Sequence, residues 1–300
     1  YLEQLNDIHA PDINFTAPTP PSGIQNTNNI FVNVSAKDYQ SDVSTFIDFN
    51  RSLVGWWRMD DINGDVIYDN SSYGNNGTAY NGAVQTDAGK LGKAMSFDGV
   101  DDYINISSNL LDNASSTTIS AWVYLTNYNP TSQSTIVADR DAFGTDFQFL
   151  ILPDSNDNLH QLQFAVLSSS GGSAAGTSSA NIPLNKWTHV TGVYDGTNIF
   201  VYIDGIQDGT IGILTGKIRS NSLLSRIGIF EDVSVSAFNG LIDDVMIFNR
   251  ALSPSEIAGL YANTTSKYLF NNFTGLVDGN YTFKAYAQDT AGNVNWTEQR

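Results

Sequence analysis

Cysteine is absent from the 300-residue sequence, so disulfide bonds and zinc sites built on thiolates are excluded. Positive charge is scarce: 14 lysines and arginines stand against 31 aspartates and glutamates, for a formal net charge of −17. Nucleic acids and anionic membrane surfaces are therefore not expected as partners, because both are bound through basic patches. Long apolar runs are also missing, since none in the sequence reaches the ~20 residues that a membrane-spanning helix needs.

Glutamate is the rare acidic residue, whereas aspartate, which favours turns and oxygen-rich cation sites, is abundant. Retaining glycoside hydrolysis needs two carboxylates about 5–5.5 Å apart, and the sequence has no E-x-D-x-x-E run that would supply them from one strand. The histidines have no serine or cysteine nucleophile motif near them in sequence. Catalysis is therefore not expected from the residues concerned, which are Glu3, Glu231, Glu256, Glu298, His9, His160 and His189.

Short segments with alternating apolar and polar residues fill most of the chain. The segment 118–125, TISAWVYL, puts every second residue from Ile119 to Leu125 on one face, as expected of a half-buried strand. Asp204-Gly205 favours a two-residue hairpin turn. Because 41% of the residues are hydrophobic, the chain can bury a sizeable core. The pattern predicts an all-β fold of packed antiparallel sheets.

The stretch 240–261 is predicted to form a strand, a turn and one short helix. Ser253 is a good N-cap, Pro254 suits the first helical position, and Glu256 stands three residues after the cap. With five further motifs, this ending resembles a LamG-like (laminin G, concanavalin A-like) jelly roll, which the resemblance places at 53–264. The motifs are LVGWWRMD at 53–60, DNSSYGNNGT at 69–78, GKLGKA at 89–94, SFDGVDDY at 96–103 and KWTHV at 186–190.

The two ends of the chain carry a different pattern. IFVNVSA at 30–36 alternates as a strand does. LVDGNYTFKAYAQDTAGNVNWTE at 276–298 resembles the last strands of an immunoglobulin-like (Ig-like) repeat of prokaryotic surface proteins, with an archaeal source expected. Tyr281 stands where such folds often place a corner tyrosine.

These halves predict a nested architecture. An Ig-like β-sandwich is split into 11–52 and 265–300, the jelly roll at 53–264 is inserted between them, and 1–10 is an extension. Surface loops accept such insertions when the ends of the inserted domain lie close together. In the rival interpretation, the ends are two unfinished Ig-like fragments of neighbouring domains.

The resemblance to LamG-like domains implies a structural calcium ion near one edge, where the first and last strands pair. The matching residues are Asp60 and Asp243, and Asp98 in SFDG is a third candidate. Carboxylates suit calcium, which takes six to eight oxygen ligands. The alternative is that Asp60 and Asp98 cap turns and that Asp243 is merely exposed.

Aromatic side chains could stack on sugars, and the superfamily that the chain resembles includes glycan-binding proteins and glycoside hydrolases. Most of the tryptophans are expected in the core, because they lie in alternating strands. Tyr80 and Tyr128 are predicted in loops where they could line a glycan site. The tryptophans are Trp56, Trp57, Trp122, Trp187 and Trp296.

Asn-x-Ser/Thr sequons are frequent. Each is an acceptor for N-glycosylation only where it is exposed on an extracytoplasmic protein. The set indicates a glycosylated cell-surface protein. The candidates are Asn14, Asn33, Asn50, Asn70, Asn76, Asn105, Asn113, Asn263, Asn272, Asn280 and Asn295.

Three hypotheses for function remain. The first is an extracellular, non-enzymatic structural or adhesive module of a cell envelope or surface filament, with glycans as further ligands. The second is a carbohydrate-binding module that targets a larger secreted enzyme, and the third, with least support, is a glycan hydrolase. Neighbouring subunits or adjacent domains of the same surface protein are expected as partners, because Tyr1–Ala10 has no evident partner and Val294–Arg300 leaves little for a final strand. The alternative is a free monomer.

Overall fold

A computed structural model of the chain describes residues 7–108, 110–128, 133–141, 144–153, 160–220, 224–230 and 236–300. The chain divides into two compact units. The inserted unit is Leu53–Leu252, and the split unit combines the residues before it with Ser253–Arg300. Of the extension predicted at 1–10, residues 1–6 lie outside the described residues.

Strands make up nearly all of the regular structure, which confirms the predicted all-β class. Numbered in chain order, the split unit contains β1 (Asp12–Thr16), β2 (Ile30–Lys37), β3 (Val43–Phe49), α1 (Pro254–Leu260), β21 (Ser266–Phe273), β22 (Phe283–Asp289) and β23 (Val294–Trp296). The inserted unit contains β4 (Leu53–Trp57), β5 (Ile62–Asn63), β6 (Val66–Ile67), β7 (Gly77–Tyr80), β8 (Val84–Thr86), β9 (Ala94–Asp98), β10 (Tyr103–Ser108), β11 (Thr117–Leu125), β12 (Ser134–Asp141), β13 (Gly144–Ile151), β14 (Gln161–Leu167), β15 (Ser173–Asn181), β16 (Trp187–Tyr194), β17 (Asn198–Ile203), β18 (Ile206–Ile213), β19 (Leu224–Ile227) and β20 (Asn239–Phe248).

Two antiparallel sheets form the inserted unit. In the back sheet, β20 pairs on one side with β11, which β16, β17 and β18 follow, and on the other side with β4 and with β9, beyond which lies β8. The front sheet has the order β5–β6–β7–β10–β19–β12–β13–β14–β15. This arrangement confirms the predicted jelly-roll sandwich.

The core of the inserted unit consists of the inward-facing side chains of its strands. Every second residue of β11 from Ile119 to Leu125 is fully buried in it, as the alternation predicted. Phe149 and Phe164 of the front sheet form an edge-to-face pair with ring centroids 5.8 Å apart. Burying one such side chain contributes about 1.5–3 kcal/mol. The core therefore sets the register of each front-sheet strand and decides which side chains reach its outer face.

The split unit is a smaller sandwich of two three-stranded sheets. One sheet has the order β1–β2–β21 and the other β23–β22–β3. Val34 from the first part of the chain and Ala285 from the last part belong to one hydrophobic core. The Tyr281 hydroxyl donates to the Val277 carbonyl at 3.1 Å, the type of contact that a tyrosine corner makes. The two ends of the chain thus complete one core, and the Ig-like assignment of this sandwich stays a prediction.

Both chain ends have partners within the split unit, contrary to expectation. The amide of Asn293 donates to the carbonyl of Asp7 at 3.1 Å, so the extension is held from that residue onward. At the other end, β23 pairs with β22, and the backbone N–H of Arg300 donates to the carbonyl of Phe283 at 3.0 Å. Backbone hydrogen bonds to β22 therefore continue beyond the end of β23.

The helix α1 belongs to the split unit, which moves the predicted boundary of the jelly roll from 264/265 to 252/253. Its capping box at Ser253 and Glu256 forms as predicted. The helix contacts β3 and β21, and Gly259 lies so close that an added Cβ would be 2.6 Å from the Thr45 carbonyl oxygen. Sequence proximity assigned α1 to the strand before it, whereas its apolar face packs on strands from both ends of the chain.

Candidate functional site

A row of outward-pointing side chains crosses the front sheet. Along each strand these positions alternate with side chains that enter the core, so the core packing decides their direction. Longer polar side chains stand in one part of the row and short alanines recur in the other, where Ala138 is itself buried. With strands 4.7–4.9 Å apart, the row spans about 29 Å. From β7 to β15, the members of this cross-strand row are Thr78, Asn105, Arg226, Ala138, Gln148, Ala165 and Ala175.

Two tyrosines form an aromatic platform beside the row. Tyr80 and Tyr103 are cross-strand partners, and their rings stack with centroids 5.0 Å apart and planes 15° apart. The guanidinium carbon of Arg226 lies 4.9 Å from the centre of the Tyr103 ring, and its Nε donates to Asn105 Oδ1 at 3.1 Å. An exposed aromatic surface next to amide and guanidinium groups can hold the apolar face of a sugar ring and its hydroxyls together.

A groove of about 320 Å³ opens on the outer face of β13, β14 and β15. Gln148, Leu167 and Ser173 are among its lining residues. Asp146, which is buried at this groove, accepts a hydrogen bond of 2.6 Å from Arg219 Nε. The groove thus offers an amide, a hydroxyl and an ion pair beside an apolar wall, on the same face as the tyrosine platform.

The predicted metal ligand Asp243 is the buried anchor of the GKLGKA loop. Its side chain is fully buried on β20, so the alternative of a merely exposed residue is wrong. Oδ2 accepts hydrogen bonds from the backbone N–H groups of Lys90 at 2.8 Å and Leu91 at 2.9 Å. Burial, and then the charge of Asp244, raise the pKa of this carboxyl well above its usual range. Oδ1 has no hydrogen-bond partner among the described residues.

The second predicted ligand, Asp60, is held by the same loop. Oδ1 accepts from the backbone N–H of Lys93 at 2.8 Å, and Oδ2 accepts from the Arg58 guanidinium at 2.8 Å. Burial raises the pKa of Asp60 to about 6, although Arg58 lowers it in part. The charge of Asp60 also raises the pKa of Asp243, which places the two carboxyls within electrostatic reach of each other.

Hydrogen bonds already engage three of the four carboxylate oxygens of Asp60 and Asp243, from N–H groups and a guanidinium. These bonds clamp the loop between β8 and β9 to the back sheet. The fourth oxygen, Asp243 Oδ1, is buried without a partner among the described residues. A calcium ion, which takes six to eight oxygen ligands, stays a prediction at these two carboxyls.

The third predicted ligand, Asp98, lies in an acidic cluster at the β9–β10 turn. One carboxylate oxygen from each of Asp98, Asp101 and Asp102 lies within 4.8 Å of the others. Asp102 is buried, its Oδ2 accepts from the Asp98 backbone N–H at 2.8 Å, and its Oδ1 has no partner among the described residues. Asp98 also closes the turn, because Oδ1 accepts from the N–H of Val100 at 2.7 Å. The predicted turn-capping role and an oxygen-rich site therefore coincide here.

Comparison with known proteins identifies the inserted unit. The family model described as the concanavalin A-like lectin/glucanases superfamily matches residues 98–258, which is more than half of the chain. The chain belongs to this superfamily. No curated protein matches it.

Solved structures share the fold of this superfamily at low sequence identity. Domain 4 of AbnA, an extracellular arabinanase of Geobacillus stearothermophilus solved with arabinotriose, is 22% identical, with a TM-score of 0.56 over 70% of this chain and 98% of that one. The binding domain of Paraclostridial Mosquitocidal Protein 1 is 18% identical, with a TM-score of 0.54 over 70% and 52%. The binding domain of botulinum neurotoxin serotype G is 16% identical, with a TM-score of 0.53 over 70% and 50%. Identities this low show the fold alone.

The superfamily includes enzymes, but the described glutamates have structural roles. Glu256 closes the capping box of α1, and Glu298 forms a surface ion pair with Arg300. Glu3 and Glu231 lie outside the described residues. His189 Nε2 lies 2.9 Å from the Ser120 hydroxyl in the back sheet, and both residues are buried. A buried pair on the back sheet cannot meet a polysaccharide, so these groups do not support hydrolysis.

Most of the aromatic candidates serve the core. Tyr128, also expected to line a glycan site, stacks on His160 and donates its hydroxyl to the Ile182 carbonyl at 2.8 Å. Trp296 of the split unit is exposed, and Lys284 lies 4.6 Å from its ring centre. Of the two tyrosines that were predicted to line a glycan site, Tyr80 lies on the platform and Tyr128 does not. The buried tryptophans are Trp56, Trp57 and Trp122.

Sequence reasoning missed Tyr103, Asn105 and Arg226 as partners of Tyr80. The alternation around β10 places Tyr103 and Asn105 on one face, so that signal was present. Nothing local connects them to Arg226, which reaches them only because β19 pairs with β10. A second unforeseen cluster, Asp7, Asp38 and Asp289, has carboxylate oxygens within 4.8 Å in the split unit.

No helix in the described part of the chain combines the length and the apolar character needed to span a membrane.

Proposed function

We propose that the inserted unit binds carbohydrate without hydrolysing it, as part of an extracellular structural or adhesive module of a cell envelope or surface filament. The proposal of carbohydrate binding rests on the tyrosine platform at one end of the cross-strand row. Tyr80 is 42% exposed, although it could have packed against a neighbouring strand. Planar apolar rings beside polar side chains form the usual composition of a site for a neutral ligand.

The shape of the front sheet supports a chain-like ligand. The platform at β7 and β10 and the groove at β13 to β15 lie on one face, joined by the cross-strand row. A single small sugar would contact either the platform or the groove, whereas an oligosaccharide that lies along the cross-strand row can contact both. Domain 4 of the arabinanase, which shares this fold, was solved in complex with arabinotriose. Arabinan fragments are therefore the first ligands to test.

The test combines a glycan array with calorimetry on the full chain, using arabinotriose and longer arabinan fragments as probes. We expect saturable binding that Tyr103→Ala weakens at least about tenfold, in the range expected when an aromatic contact is lost. Tyr39→Ala is the matched control, because Tyr39 is 74% exposed in the split unit and lies outside the proposed site.

The outcomes are distinct. Binding that Tyr103→Ala and Tyr39→Ala leave equally strong would place the ligand elsewhere on the molecule. Absence of binding across the array would remove the carbohydrate part of the proposal and leave a purely structural module. Release of reducing sugars from any bound polysaccharide would contradict the non-catalytic assignment.

The alternative, a carbohydrate-binding module that targets a larger secreted enzyme, uses the same site. An envelope or filament module, in contrast, contacts neighbouring subunits or domains of the same surface protein. Among the described strands, β1 pairs only with β2 in its sheet, so its outer edge is open to strand addition. We expect self-association in sedimentation that is lost without residues 1–16, which include β1. Monomers at high concentration for both chains would exclude assembly through this end.

We propose calcium at the β9–β10 turn. The buried Oδ1 of Asp102 supports it, because a buried carboxylate oxygen without a donor is costly unless a cation or proton satisfies it. Added calcium should raise the melting temperature of the inserted unit in proportion to binding, and Asp98→Ala should reduce that rise. Identical melting curves in chelator and in millimolar calcium would dismiss the ion.

A further inference from the structure

Exposed aromatic side chains cover part of the outer face of the sheet β1–β2–β21. Phe31 is 42% exposed, Phe270 61% and Tyr268 83%. The alternation along β2 and β21 turns these rings outward while Val34 and Leu269 enter the core. Several aromatic rings together on one exposed face usually mark a surface that something else covers.

Two sequon asparagines lie among these rings on the same face. The register pairs Phe31 with Asn272 and Asn33 with Phe270. Phe31 also precedes Asn33 by two residues on β2, and Phe270 precedes Asn272 by two residues on β21. Residues two apart on a strand share a face, and directly opposite residues have Cβ atoms about 4.5–5.5 Å apart. Each asparagine therefore has one phenylalanine beside it on its own strand and another across the sheet.

We propose that Asn33 and Asn272 carry N-linked glycans whose first sugars lie over Phe31 and Phe270. The C–H face of a sugar ring is apolar and suits an exposed aromatic ring, while its hydroxyls keep their contacts with water. The glycans thus cover the phenyl rings from outside. This inference needs only the extracellular part of the proposed function and is independent of carbohydrate binding by the inserted unit.

The attachment uses a lipid-phosphate-linked oligosaccharide as the co-reactant. The side-chain amide nitrogen forms a bond with the anomeric carbon of the sugar, and the bond from that carbon to the phosphate oxygen breaks. The electron pair of the broken bond leaves with the lipid phosphate, and the amide nitrogen loses one proton. One N–H remains on the glycosylated amide.

The amide groups of both residues are compatible with this modification. Asn272 Oδ1 accepts from Asn29 Nδ2 at 2.9 Å, which orients the side chain and leaves its own amide nitrogen without a hydrogen bond among the described residues. Asn33 Nδ2 donates to the Ala17 carbonyl at 3.2 Å. Because a glycosylated amide keeps one N–H, this bond can persist after attachment.

Other sequons lack one of these features. The side-chain oxygen Oδ1 of Asn70 is buried, so this amide is not open to a bulky sugar. Asn105 accepts from Arg226 in the cross-strand row, where a glycan would fill the proposed ligand site. Both are therefore excluded as acceptors in the folded protein.

Asn14 supplies a matched control on the same sheet face. It is exposed on β1, it lies opposite Ser35, and Asp12 precedes it by two residues. Its sequon is thus more exposed than those of Asn33 and Asn272, which are half-buried, but it has no phenylalanine at either neighbouring position. A glycan at Asn14 should extend into solvent.

The experiment uses the full chain secreted from a host that N-glycosylates Asn-x-Ser/Thr. Glycopeptide mass spectrometry measures occupancy at each asparagine, and NMR measures the shifts of the first-sugar C–H protons. We expect occupancy at Asn33 and Asn272, with sugar protons shifted upfield by the ring current of the phenyl groups. Phe270→Ala should reduce these shifts, and the sugar at Asn14, if attached, should show none.

Three results would overturn the proposal. The first is empty Asn33 and Asn272 alongside occupied Asn14. The second is normal sugar shifts that Phe270→Ala does not change. The third is self-association that persists in the glycosylated chain and disappears in Phe270→Ala, because the phenyl rings would then form a protein interface. Failure of sugar binding by the inserted unit changes none of these readouts.

Discussion

Each unit has a sheet face that bears exposed aromatic rings: β7 with β10 in the inserted unit, and β2 with β21 in the split unit. The residues around the rings differ between these two faces. In the inserted unit, Tyr80 and Tyr103 stack on each other beside Arg226 and Asn105. In the split unit, Phe31 and Phe270 alternate with asparagines of sequons. Strand alternation exposes the rings in both cases. Under the two proposals, the side chains around a ring decide its role: polar planar groups favour reversible binding of a sugar, and sequons favour a sugar attached covalently.

The largest expected effect is on the stability of the inserted unit, which bears the tyrosine platform. It tests whether that stability depends on the buried carboxyl of Asp243. Asp243→Ala leaves the N–H groups of Lys90 and Leu91 without their acceptor. Each buried donor without a partner costs about 1–3 kcal/mol, so we expect the inserted unit to lose about 2–4 kcal/mol in urea unfolding. Asp65→Ala, at an exposed turn, is the control. Equal stability of both variants would show that the loop is not clamped by Asp243.

The pH dependence of stability is the next effect in size. The folded unit raises the pKa of Asp60 from 3.8 to about 6, so Asp60 binds its proton more tightly when folded. The stabilisation that this tighter proton binding gives is fully present below the pKa of Asp60 in the unfolded chain. It is lost as the pH rises through the pKa of Asp60 in the folded protein. The inserted unit should gain about 1–3 kcal/mol from this group as pH falls from 7 to 4. Asp60→Asn should reduce the slope but leave the part that Asp243, whose pKa is also raised, contributes in the same direction. The same slope in both proteins would assign the dependence to groups other than Asp60.

The tyrosine platform gives a smaller effect that bears directly on the comparison. Tyr103→Ala should reduce carbohydrate affinity by about 1–2 kcal/mol without changing the melting temperature of the split unit. Phe270→Ala should leave affinity unchanged, because its ring lies in the other unit. Calorimetry on the two variants side by side decides this. A loss of affinity in Phe270→Ala would mean that both faces bind the same free ligand.

The smallest effect concerns the phenylalanines. In unglycosylated protein, Phe270→Ala should change stability by less than about 0.5 kcal/mol, as for an ordinary surface substitution. In glycosylated protein it should cost about 0.5–1.5 kcal/mol more, because the sugar loses its aromatic contact. Melting curves of the four proteins form a double-mutant cycle. A coupling energy of zero would show that the glycans do not contact the phenyl rings.

Local sequence was sufficient for much of the fold. The alternation in β11 predicted its buried face, and Ser253 with Glu256 predicted the start of the helix. The order of motifs such as SFDGVDDY identified the superfamily. These features depend on residues within a few positions of one another, where propensity, capping and periodicity act.

Position in the chain misled the assignment of α1 and the roles of the acidic residues. The helix follows β20 in the chain, yet it packs on β3 and β21, and Gly259 lets its backbone approach the Thr45 carbonyl closely. Asp243 was expected as a metal ligand or an exposed residue. Its burial and its two N–H donors depend on a loop more than a hundred residues earlier in the chain.

The sequence by itself therefore determined the class of fold, the superfamily, the strand faces and the list of candidate sequons. Tertiary structure alone decided which of these meet: Arg226 beside Tyr103, and Phe270 opposite Asn33. The physical reason is the distance along the chain over which each kind of interaction acts. Alternation and caps act along one strand or turn, whereas binding and covering of aromatic rings require side chains from distant strands, and the hydrogen-bonded register of the sheets brings those strands together.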